Sequence, residues 1–237
     1  MKKVKGQNWV IIVAGGSGSR MQTGVLKQFI ELCGKPILMH AIEVFVDACE
    51  GINVVVVLPA LQVAFWQELC HRHRFTLPHR IAEGGNTRFQ SVKNGLSLVS
   101  GDGLVAVHDG VRPLASRQTV INCFCDAANY GCAVPVLPVV DSVREVSGKT
   151  STVLNRSVLR LVQTPQVFDI SLLKKAYGQD YSPAFTDDAS VFEQAGHIIR
   201  LTEGNAENIK ITTQNDLVVA EALMKQLRTS HETRMRV

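Results

Sequence analysis

The sequence predicts an α/β fold in which helices flank a mostly parallel sheet. A short β-branched run over 10–13 ends at Ala14-Gly15-Gly16, and a second run over 54–58 ends at Pro59. Such runs, closed by turn residues, indicate buried strands. Between them, apolar residues recur at three- and four-residue spacing over 36–49, as on one face of an amphipathic helix. A strand, a helix and a strand in this order form a βαβ unit, which requires parallel strands.

Helices and strands continue to alternate along the rest of the chain. Helices are predicted over 65–73, 91–98, 118–130, 171–177, 187–195 and 216–227, and strands over 104–107, 133–136, 198–201 and 208–211. Polar and apolar residues alternate over 139–156 around Ser147-Gly148-Lys149, which is typical of a β-hairpin rather than of another βαβ segment. We therefore expect a single domain over 1–229, with a hairpin arm projecting at about 139–160, and a frayed polar tail over 230–237.

Composition excludes several classes of protein. With 237 residues, 46% of them hydrophobic, the chain can bury a large core. Its 25 Lys and Arg against 21 Asp and Glu leave a net charge of +4, without the basic stripe of a nucleic-acid-binding protein. The first apolar run is too short for a membrane span or a signal peptide. The six cysteines contain no CxxC pair, which favours reduced, buried thiols. We expect a cytoplasmic protein that binds neither nucleic acid nor membrane.

A glycine-rich loop at 15–21 follows the first predicted strand. Its glycines leave backbone N–H groups accessible to phosphate oxygens. Met21 stands where the dinucleotide-binding fingerprint needs a third glycine, and the P-loop motif is also incomplete in this chain. Arg20 directly behind the glycines and Lys27 seven residues later are two cations suited to a polyphosphate. We interpret the loop as a polyphosphate site; the alternative is a glycine turn beside solvated charges.

Two further clusters have the features of ligand sites. Over 84–92, a glycine turn, Arg88 and a helix-capping Ser91 come just before a predicted helix, where an anion or a nucleotide binds favourably. Asp109 lies at the carboxyl end of a predicted strand, where open α/β sheets gather their ligands, and could hold Mg²⁺. The alternative is an ordinary turn or capping aspartate. His108 faces the opposite side of that strand, and we expect it to pack in the core.

Six motifs together resemble those of the 2-C-methyl-D-erythritol 4-phosphate cytidylyltransferase family of the non-mevalonate isoprenoid pathway. They are the segment 14–21 with Lys27-Gln28, Gly84-Gly85-x-x-Arg88-x-x-Ser91-Val92, His108-Asp109-x-x-Arg112-Pro113, Gln163-Thr164-Pro165-Gln166, Thr186-Asp187-Asp188-Ala189-Ser190 and Asn208-Ile209-Lys210-Ile211-Thr212. The resemblance covers about 10–227, and the shared order of the motifs makes it specific. Leu26 replaces the family's usual proline, and Gly110 stands where the family often has alanine.

The resemblance implies a Rossmann-like nucleotidyltransferase fold whose inserted hairpin serves as a dimerisation arm in a homodimer. The implied reaction joins CTP and 2-C-methyl-D-erythritol 4-phosphate to give 4-diphosphocytidyl-2-C-methyl-D-erythritol and pyrophosphate, with Mg²⁺ as cofactor. By the same resemblance, the catalytic residues are Arg20, Lys27 and Lys210, the CTP-binding residues are Ala14, Gly15, Gly16, Gly18, Gly85, Arg88, Ser91, Asp109 and Gly110, the sugar-phosphate-binding residues are Arg112, Arg156, Thr164 and Thr186, and the metal ligand is Asp109. Whether Arg156 serves its own subunit or the partner subunit stays open.

Alternatives also stay open from the sequence. A ribitol-5-phosphate cytidylyltransferase shares the glycine-rich loop and the His-Asp-x-x-Arg-Pro motif, because only a few pocket side chains select the alcohol phosphate. A sugar-1-phosphate nucleotidyltransferase fits less well, since the full set of motifs is present. A non-catalytic nucleotide-binding module could share the fold, because fold does not determine function. The presence of Arg20, Lys27, Asp109 and Lys210 together argues against such a module.

Overall fold

A central sheet of eight strands organises the computed structural model, which describes residues 6–15 and 26–234. The strands are β1 (Gln7–Val13), β2 (Glu31–Leu32), β3 (Lys35–Pro36), β4 (Asn53–Leu58), β5 (Arg80–Glu83), β6 (Gly103–Asp109), β7 (Cys132–Pro138), β8 (Val143–Ser147), β9 (Thr150–Leu154), β10 (Arg160–Val162), β11 (Gln166–Asp169) and β12 (Leu201–Glu203). The α-helices are α1 (Ile37–Ala48), α2 (Val63–Arg72), α3 (Arg88–Ser97), α4 (Arg117–Tyr130), α5 (Ile170–Ala176), α6 (Asp188–Gln194) and α7 (Gln214–Arg234). The sheet order is β10-β7-β11-β6-β1-β4-β5, and β12 pairs with β7.

Parallel pairing dominates this sheet. β1 lies between β4 and β6 and is parallel to both, while β5 extends the sheet parallel to β4. β11 lies between β6 and β7 and is antiparallel to both, so β6 and β7 run in the same direction. β12 is parallel to β7, and β10 is antiparallel to it. The predicted mostly parallel sheet with flanking helices is confirmed.

Alternation of side chains along the strands explains the two helical layers. Val10 and Ile12 of β1 face one core with α1, α2 and α4, whereas Trp9 and Ile11 face the other core with α3, α5 and α6. All four side chains are at most 1% exposed. This is the pattern of a parallel strand that is covered by helices on both faces. A third, smaller cluster packs α7 against the β2–β3 hairpin.

The predicted hairpin forms a two-stranded sheet of its own from β8 and β9. Ser147 pairs with Thr150, so the turn contains two residues, and Gly148 has a φ of +58° that an L side chain rarely adopts. Val146 and Val153 are 72% and 69% exposed. The hairpin is therefore confirmed as a separate, exposed element, and its role in dimerisation stays a prediction.

Several predicted boundaries are wrong. α3 begins at Arg88, three residues before its predicted start, because Thr87 caps it by accepting the N–H of Gln90 at 3.0 Å. Ser91 therefore lies inside the helix and is not its cap. The last helix continues to residue 234, so residues 230–234 of the predicted tail are helical. The sequence also provided no prediction for β2, β3, β5, β10 and β11.

The strand predicted over 208–211 is absent, and the one predicted over 198–201 is shifted to β12. In the segment 208–211, the backbone groups form hydrogen bonds with partners that do not belong to the sheet. The Asn208 carbonyl accepts from Arg112 Nη1 at 2.8 Å, and the Ile211 N–H donates to the Val111 carbonyl at 2.9 Å. The segment therefore joins the site to α7 and does not extend the sheet.

All six cysteines are free. Burial raises the pKa of the Cys49 and Cys70 thiols to about 11 and that of Cys123 to about 12, so these thiols stay protonated at neutral pH. Cys123 and Cys132 are buried as expected, whereas the other four cysteines are partly exposed, and the reduced state stays a prediction.

Helices that could cross a bilayer are missing from the part of the chain that the structure describes.

Candidate active site

Two clefts meet at the carboxyl ends of the central strands, and they enclose about 270 and 300 Å³. The first cleft is lined by Val13, Ala14, Gly15, Lys27, Gln28, Gly85, Asn86, Thr87, Arg88, Ser91, Asp109, Val111 and Lys210. The second cleft is lined by Arg88, Asp109, Arg112, Val162, Gln163, Thr164, Gln166, Thr186, Asp187 and Lys210. Arg88, Asp109 and Lys210 line both, so the two clefts are parts of one site.

Asp109 is the electrostatic centre of this site. Its Oδ2 lies 3.0 Å from Lys210 Nζ and 3.3 Å from Arg112 Nε, and its Oδ1 lies 3.7 Å from Arg88 Nη2. Burial opposes ionisation of the carboxyl group, but the charges of Arg88, Lys210 and Arg112 outweigh it and hold the pKa of Asp109 well below its ordinary value. The carboxylate is therefore ionised at neutral pH and ties together three cations from separate segments.

Asp188 and Tyr177, whose roles were not predicted from the sequence, hold Arg88 in place through hydrogen bonds. Its Nη2 donates to Asp188 Oδ2 at 2.7 Å, and the Tyr177 hydroxyl donates to Asp188 Oδ1 at 2.6 Å. Asp188 is fully buried and Tyr177 is 2% exposed. Burial disfavours the charged guanidinium, but Asp188 and Asp109 together keep the pKa of Arg88 above its ordinary value. Asp188 belongs to one of the motifs, yet no sequence signal connects it with a partner 100 residues away.

The loop before α3 is shaped by local hydrogen bonds. The Gly85 N–H donates to Ser91 Oγ at 3.1 Å, and the Ser91 hydroxyl donates to the Thr87 carbonyl at 2.9 Å. A Cβ at Gly85 would lie 2.2 Å from Gln90 Cγ, so glycine is required at this close approach. These bonds define the shape of this wall of the first cleft.

Lys27 enters the first cleft from a short 3-10 helix, Lys27–Phe29. Its neighbour Gln28 is 1% exposed, and Gln28 Nε2 donates to the Ala14 carbonyl at 2.7 Å. That bond fastens the segment carrying Lys27 to the end of β1. Gln28 was part of a motif, but its anchoring role was not predicted.

The structure brings together most of the predicted site residues that it describes. Ala14, Gly15, Lys27, Gly85, Arg88, Ser91, Asp109 and Lys210 line the first cleft, and Arg112, Thr164 and Thr186 line the second. Gly16, Gly18 and Arg20 lie outside the described residues. The expected convergence of distant cations is therefore visible for Lys27 and Lys210.

Two predicted residues line neither cleft. A Cβ at Gly110 would lie 3.0 Å from the Ala14 Cβ and 3.1 Å from Leu38 Cδ1, so Gly110 faces the core and serves close packing. The predicted contact of Gly110 with CTP therefore has no support in its position. Arg156 is exposed beyond the hairpin, where its guanidinium donates to the Val140 carbonyl. Within this single chain, Arg156 is therefore not among the residues that line the second cleft.

Thr164 turns its hydroxyl toward β6 rather than toward solvent. Thr164 is 5% exposed, and its Oγ1 accepts the Asp109 N–H at 3.1 Å and lies 3.0 Å from His108 Nδ1. His108 is fully buried and packs edge-on against Phe45 at 5.0 Å, which confirms its predicted place in the core. Burial lowers the pKa of His108 to about 4, so the imidazole is neutral at physiological pH.

Asp109 has the features of a single-carboxylate magnesium ligand. Among the residues that the structure describes, no group of three or more His, Cys, Asp or Glu could hold a metal ion. Mg²⁺ commonly takes one or two carboxylates and fills its remaining positions with substrate phosphates and water. Asp109 is ionised and lines the first cleft. Of its contacts with Arg88, Arg112 and Lys210, the longest is the one at Oδ1, 3.7 Å from Arg88 Nη2. The donor set therefore fits Mg²⁺ bound together with a polyphosphate.

Comparisons with known proteins agree with this geometry. Residues 9–226 match the family model described as 2-C-methyl-D-erythritol 4-phosphate cytidylyltransferase. A relative of that name from Bacteroides fragilis is 51% identical over 214 residues, which cover 90% of this chain and 98% of that protein. A solved structure of that name from Thermus thermophilus is similar with a TM-score of 0.70 and 33% identity, covering 91% of this chain and 98% of the other. The 4-diphosphocytidyl-2C-methyl-D-erythritolsynthase from Anaerococcus prevotii is similar with a TM-score of 0.78 and 25% identity, covering 92% and 98%.

Proposed function

This chain belongs to the 2-C-methyl-D-erythritol 4-phosphate cytidylyltransferase family, and from that premise we propose its reaction. The enzyme transfers the cytidylyl group of CTP to 2-C-methyl-D-erythritol 4-phosphate, giving 4-diphosphocytidyl-2-C-methyl-D-erythritol and pyrophosphate in non-mevalonate isoprenoid biosynthesis. The observation that carries the proposal is the pair of clefts sharing Arg88, Asp109 and Lys210. Two anionic substrates that must meet need adjoining pockets with shared positive charge.

The chemistry requires no general base. A phosphate monoester with a second pKa near ~6 is mostly a dianion at neutral pH, so its oxygen can attack the α-phosphorus of CTP directly. A bond forms between that oxygen and the α-phosphorus, and the bond from the α-phosphorus to the bridging oxygen of the β-phosphate breaks to release pyrophosphate. The barrier lies in bringing two anions together and in stabilising the charge of the transition state, which preorganised cations do electrostatically.

The first cleft is the CTP site in this proposal. Its wall of Gly85 and Ser91, and the backbone of Ala14 and Gly15, offer small, close surfaces for the nucleotide. Lys27 neutralises the triphosphate, together with Arg20 and the glycine-rich loop of Gly16 and Gly18 expected from the sequence. Lys210 stands on the border of both clefts and neutralises the phosphates of both substrates.

The second cleft is the alcohol-phosphate site in this proposal. Arg112 and Thr186 line it. Arg112 donates to the Asn208 carbonyl at 2.8 Å and lies 3.3 Å from Asp109, so its guanidinium is oriented before substrate binds. Preorientation of this kind reduces the conformational entropy that is lost on reaching the transition state.

Mg²⁺ completes the proposed site, with Asp109 as its protein ligand. When bound, the ion neutralises phosphate charge and acts as a Lewis acid at the phosphoryl oxygens. Asp109 is suited to this role because the surrounding cations keep it ionised.

We further infer a homodimer that forms through the hairpin arm, in which Arg156 of one subunit serves the other subunit's site. The exposed valines of β8 and β9 support a contact surface, and the position of Arg156 outside the lining of both clefts of its own chain supports action in trans. The free thiols support a reducing compartment, and we propose the cytoplasm.

The test is pyrophosphate release measured with CTP, Mg²⁺ and either methylerythritol phosphate or ribitol 5-phosphate, side by side. We expect release with methylerythritol phosphate and little with ribitol phosphate. Faster release with ribitol phosphate would instead assign the alternative cytidylyltransferase activity. CTP binding by calorimetry without turnover of either alcohol phosphate would indicate a non-catalytic nucleotide-binding module.

A further inference from the structure

An aromatic cluster of Phe29, Phe65 and Trp66 supports the 3-10 turn that carries Lys27. Phe29 is 3% exposed and packs in the core beside α2. Its ring stacks on Trp66 with the centroids 6.2 Å apart, and it meets Phe65 edge-on at 5.3 Å. Trp66 and Phe65 both belong to α2. The turn is thus joined to α2 two residues after Lys27, while Gln28 fastens it to the end of β1.

A hydrogen bond fixes the indole at the centre of this cluster. Trp66 is fully buried, and its Nε1 donates to His79 Nε2 at 2.9 Å. His79 Nδ1 lies 2.8 Å from the Leu77 carbonyl. Because a carbonyl only accepts and an indole N–H only donates, the imidazole proton is on Nδ1, and Nε2 is the acceptor. Both ring nitrogens are therefore engaged, and His79 holds the indole in one orientation.

The backbone of the turn depends on such support. Leu26, which precedes the turn, has a φ of −65° and a ψ of 136°. A proline would lock this φ, whereas leucine leaves it free to change. The Phe29 N–H donates to the Leu26 carbonyl at 2.9 Å, and the Ile30 N–H donates to the Lys27 carbonyl at 3.2 Å. A single turn closed by local hydrogen bonds is weak on its own, so side-chain packing must hold it.

We propose that Trp66 and His79 are positioning residues for Lys27, because their hydrogen bond sets, through Phe29, the orientation in which the lysine enters the first cleft. The inference rests on the proposed function for the role of Lys27. Trp66 and His79 are not among the residues that line the clefts, so they act through the turn. A competing path runs through β5, which begins directly after His79 and leads to Gly85 in the first cleft.

The first test removes the hydrogen bond between the two side chains. Trp66→Phe deletes the indole N–H, and His79→Asn keeps an amide near the position of Nδ1 for the Leu77 carbonyl but no acceptor near that of Nε2. We expect each variant to lower kcat/KM for CTP by about 10-fold, because a displaced Lys27 loses part of the about 10²-fold that its removal costs. His79→Gln places an amide oxygen near the position of Nε2 and should restore most of the rate.

The matched control is Trp9→Phe, which removes the same ring volume from the other core. Trp9 is 1% exposed, and among the described residues its Nε1 has no hydrogen-bond partner. Its kcat/KM should equal that of wild type. An equal loss in Trp9→Phe, equal losses in the two His79 variants, or wild-type rates in Trp66→Phe and His79→Asn would overturn the proposal. If Trp66→Phe does not fold, the comparison of the two variants of the half-buried His79 decides.

The second test asks whether the loss passes through Lys27. In the Lys27→Ala background, His79→Asn should cause no further loss of kcat/KM, because the group that it misplaces is already absent. Losses that multiply would assign the effect to the competing path through Gly85 and overturn the proposal. A wild-type rate in Lys27→Ala alone would overturn it as well.

The third test does not depend on turnover. In NMR-detected hydrogen exchange, the amides of Phe29 and Ile30, which close the turn, should exchange faster in Trp66→Phe and His79→Asn than in wild type. The Gly131 amide at the end of α4 is the internal control and should exchange at an unchanged rate. Unchanged exchange at the turn, or equal acceleration at Gly131, would overturn the positioning role. A wild-type enzyme that releases no pyrophosphate but shows the expected exchange pattern would overturn the proposed function alone.

Discussion

Removing the charge of Asp188 should cost far more stability than the same change in an exposed ion pair. Asp188 is completely buried, with Arg88 Nη2 at 2.7 Å from one oxygen and the Tyr177 hydroxyl at 2.6 Å from the other. Asp188→Asn keeps the shape of the side chain but leaves the guanidinium with a second carboxylate only at 3.7 Å, on Asp109. The variant therefore isolates the value of the charge itself.

The expected magnitude follows from the burial of the pair. Breaking a buried ion pair by removing one partner costs about 3–5 kcal/mol. The Arg88 side chain remains 29% exposed and keeps its longer contact with Asp109, so we expect the lower end, about 3 kcal/mol. For a chain of this length, each kcal/mol lowers Tm by about 2–4 °C, which corresponds to a decrease of about 6–12 °C. Tyr177→Phe removes one hydrogen bond to a charged group and should cost about 1.5–3 kcal/mol.

Urea denaturation followed by circular dichroism measures these differences, with thermal unfolding as a second readout. Glu68→Gln is the matched control because Glu68 accepts from Arg72 Nη2 at 2.5 Å, while the two side chains are 57–60% exposed. Exposed pairs are worth about 0–1 kcal/mol. If Asp188→Asn loses no more stability than Glu68→Gln, the buried pair does not stabilise the fold as we argue.

Four further predictions concern the chemistry. Lys27→Ala should lower the rate of pyrophosphate release by about 10²-fold or more, and Lys27→Arg should remain impaired because a guanidinium does not replace a compact ammonium. The control is Lys35→Ala, which should match wild type because Lys35 lies outside both clefts. An unchanged rate for Lys27→Ala would refute the role of Lys27. Arg156→Ala should raise the KM for the alcohol phosphate far more than that for CTP, and equal effects would remove Arg156 from that subsite. Verified heterodimers of Arg156→Ala and Lys27→Ala subunits should recover activity, whereas no recovery would contradict action in trans. EDTA should abolish turnover, and excess Mg²⁺ should restore it. The Asp109→Asn variant should need a higher Mg²⁺ concentration for its half-maximal rate. Turnover that survives EDTA would argue against a requirement for the metal.

Hydrophobic periodicity predicted the centre of the fold well. The strands around Val10 and Val54, and the helix between them, are found within a few residues of their predicted bounds, because their apolar residues must be buried in any compact arrangement. The segment at Asn208 was misread, since its apolar residues resemble a strand while side chains and a turn satisfy its backbone. Three short strands of the central sheet were missed because they pair at its edges or insert antiparallel, where the local pattern is weak, and the two-residue strands β2 and β3 were missed as well.

The motifs also indicated which segments would form the site. The glycine-rich turns, the lysine at position 27 and the aspartate at the end of β6 have chemistry that is recognisable locally, and the segments that the structure describes meet at one edge of the sheet. The tertiary structure shows close packing around Gly110, which local chemistry did not indicate, and the predicted contact of Gly110 with CTP stays a prediction. It also did not reveal that Ser91 lies within a helix rather than at its cap.

The layered α/β architecture and the charged segments could be predicted from the residues alone, because burial and residue chemistry act locally along the chain. How those charges are held could be seen only in the folded chain. The Arg88–Asp188 pair spans 100 residues and the His108–Thr164 contact spans 56. Contacts of that range depend on strand order and register, since an offset of one residue in β11 would turn Thr164 away from Asp109.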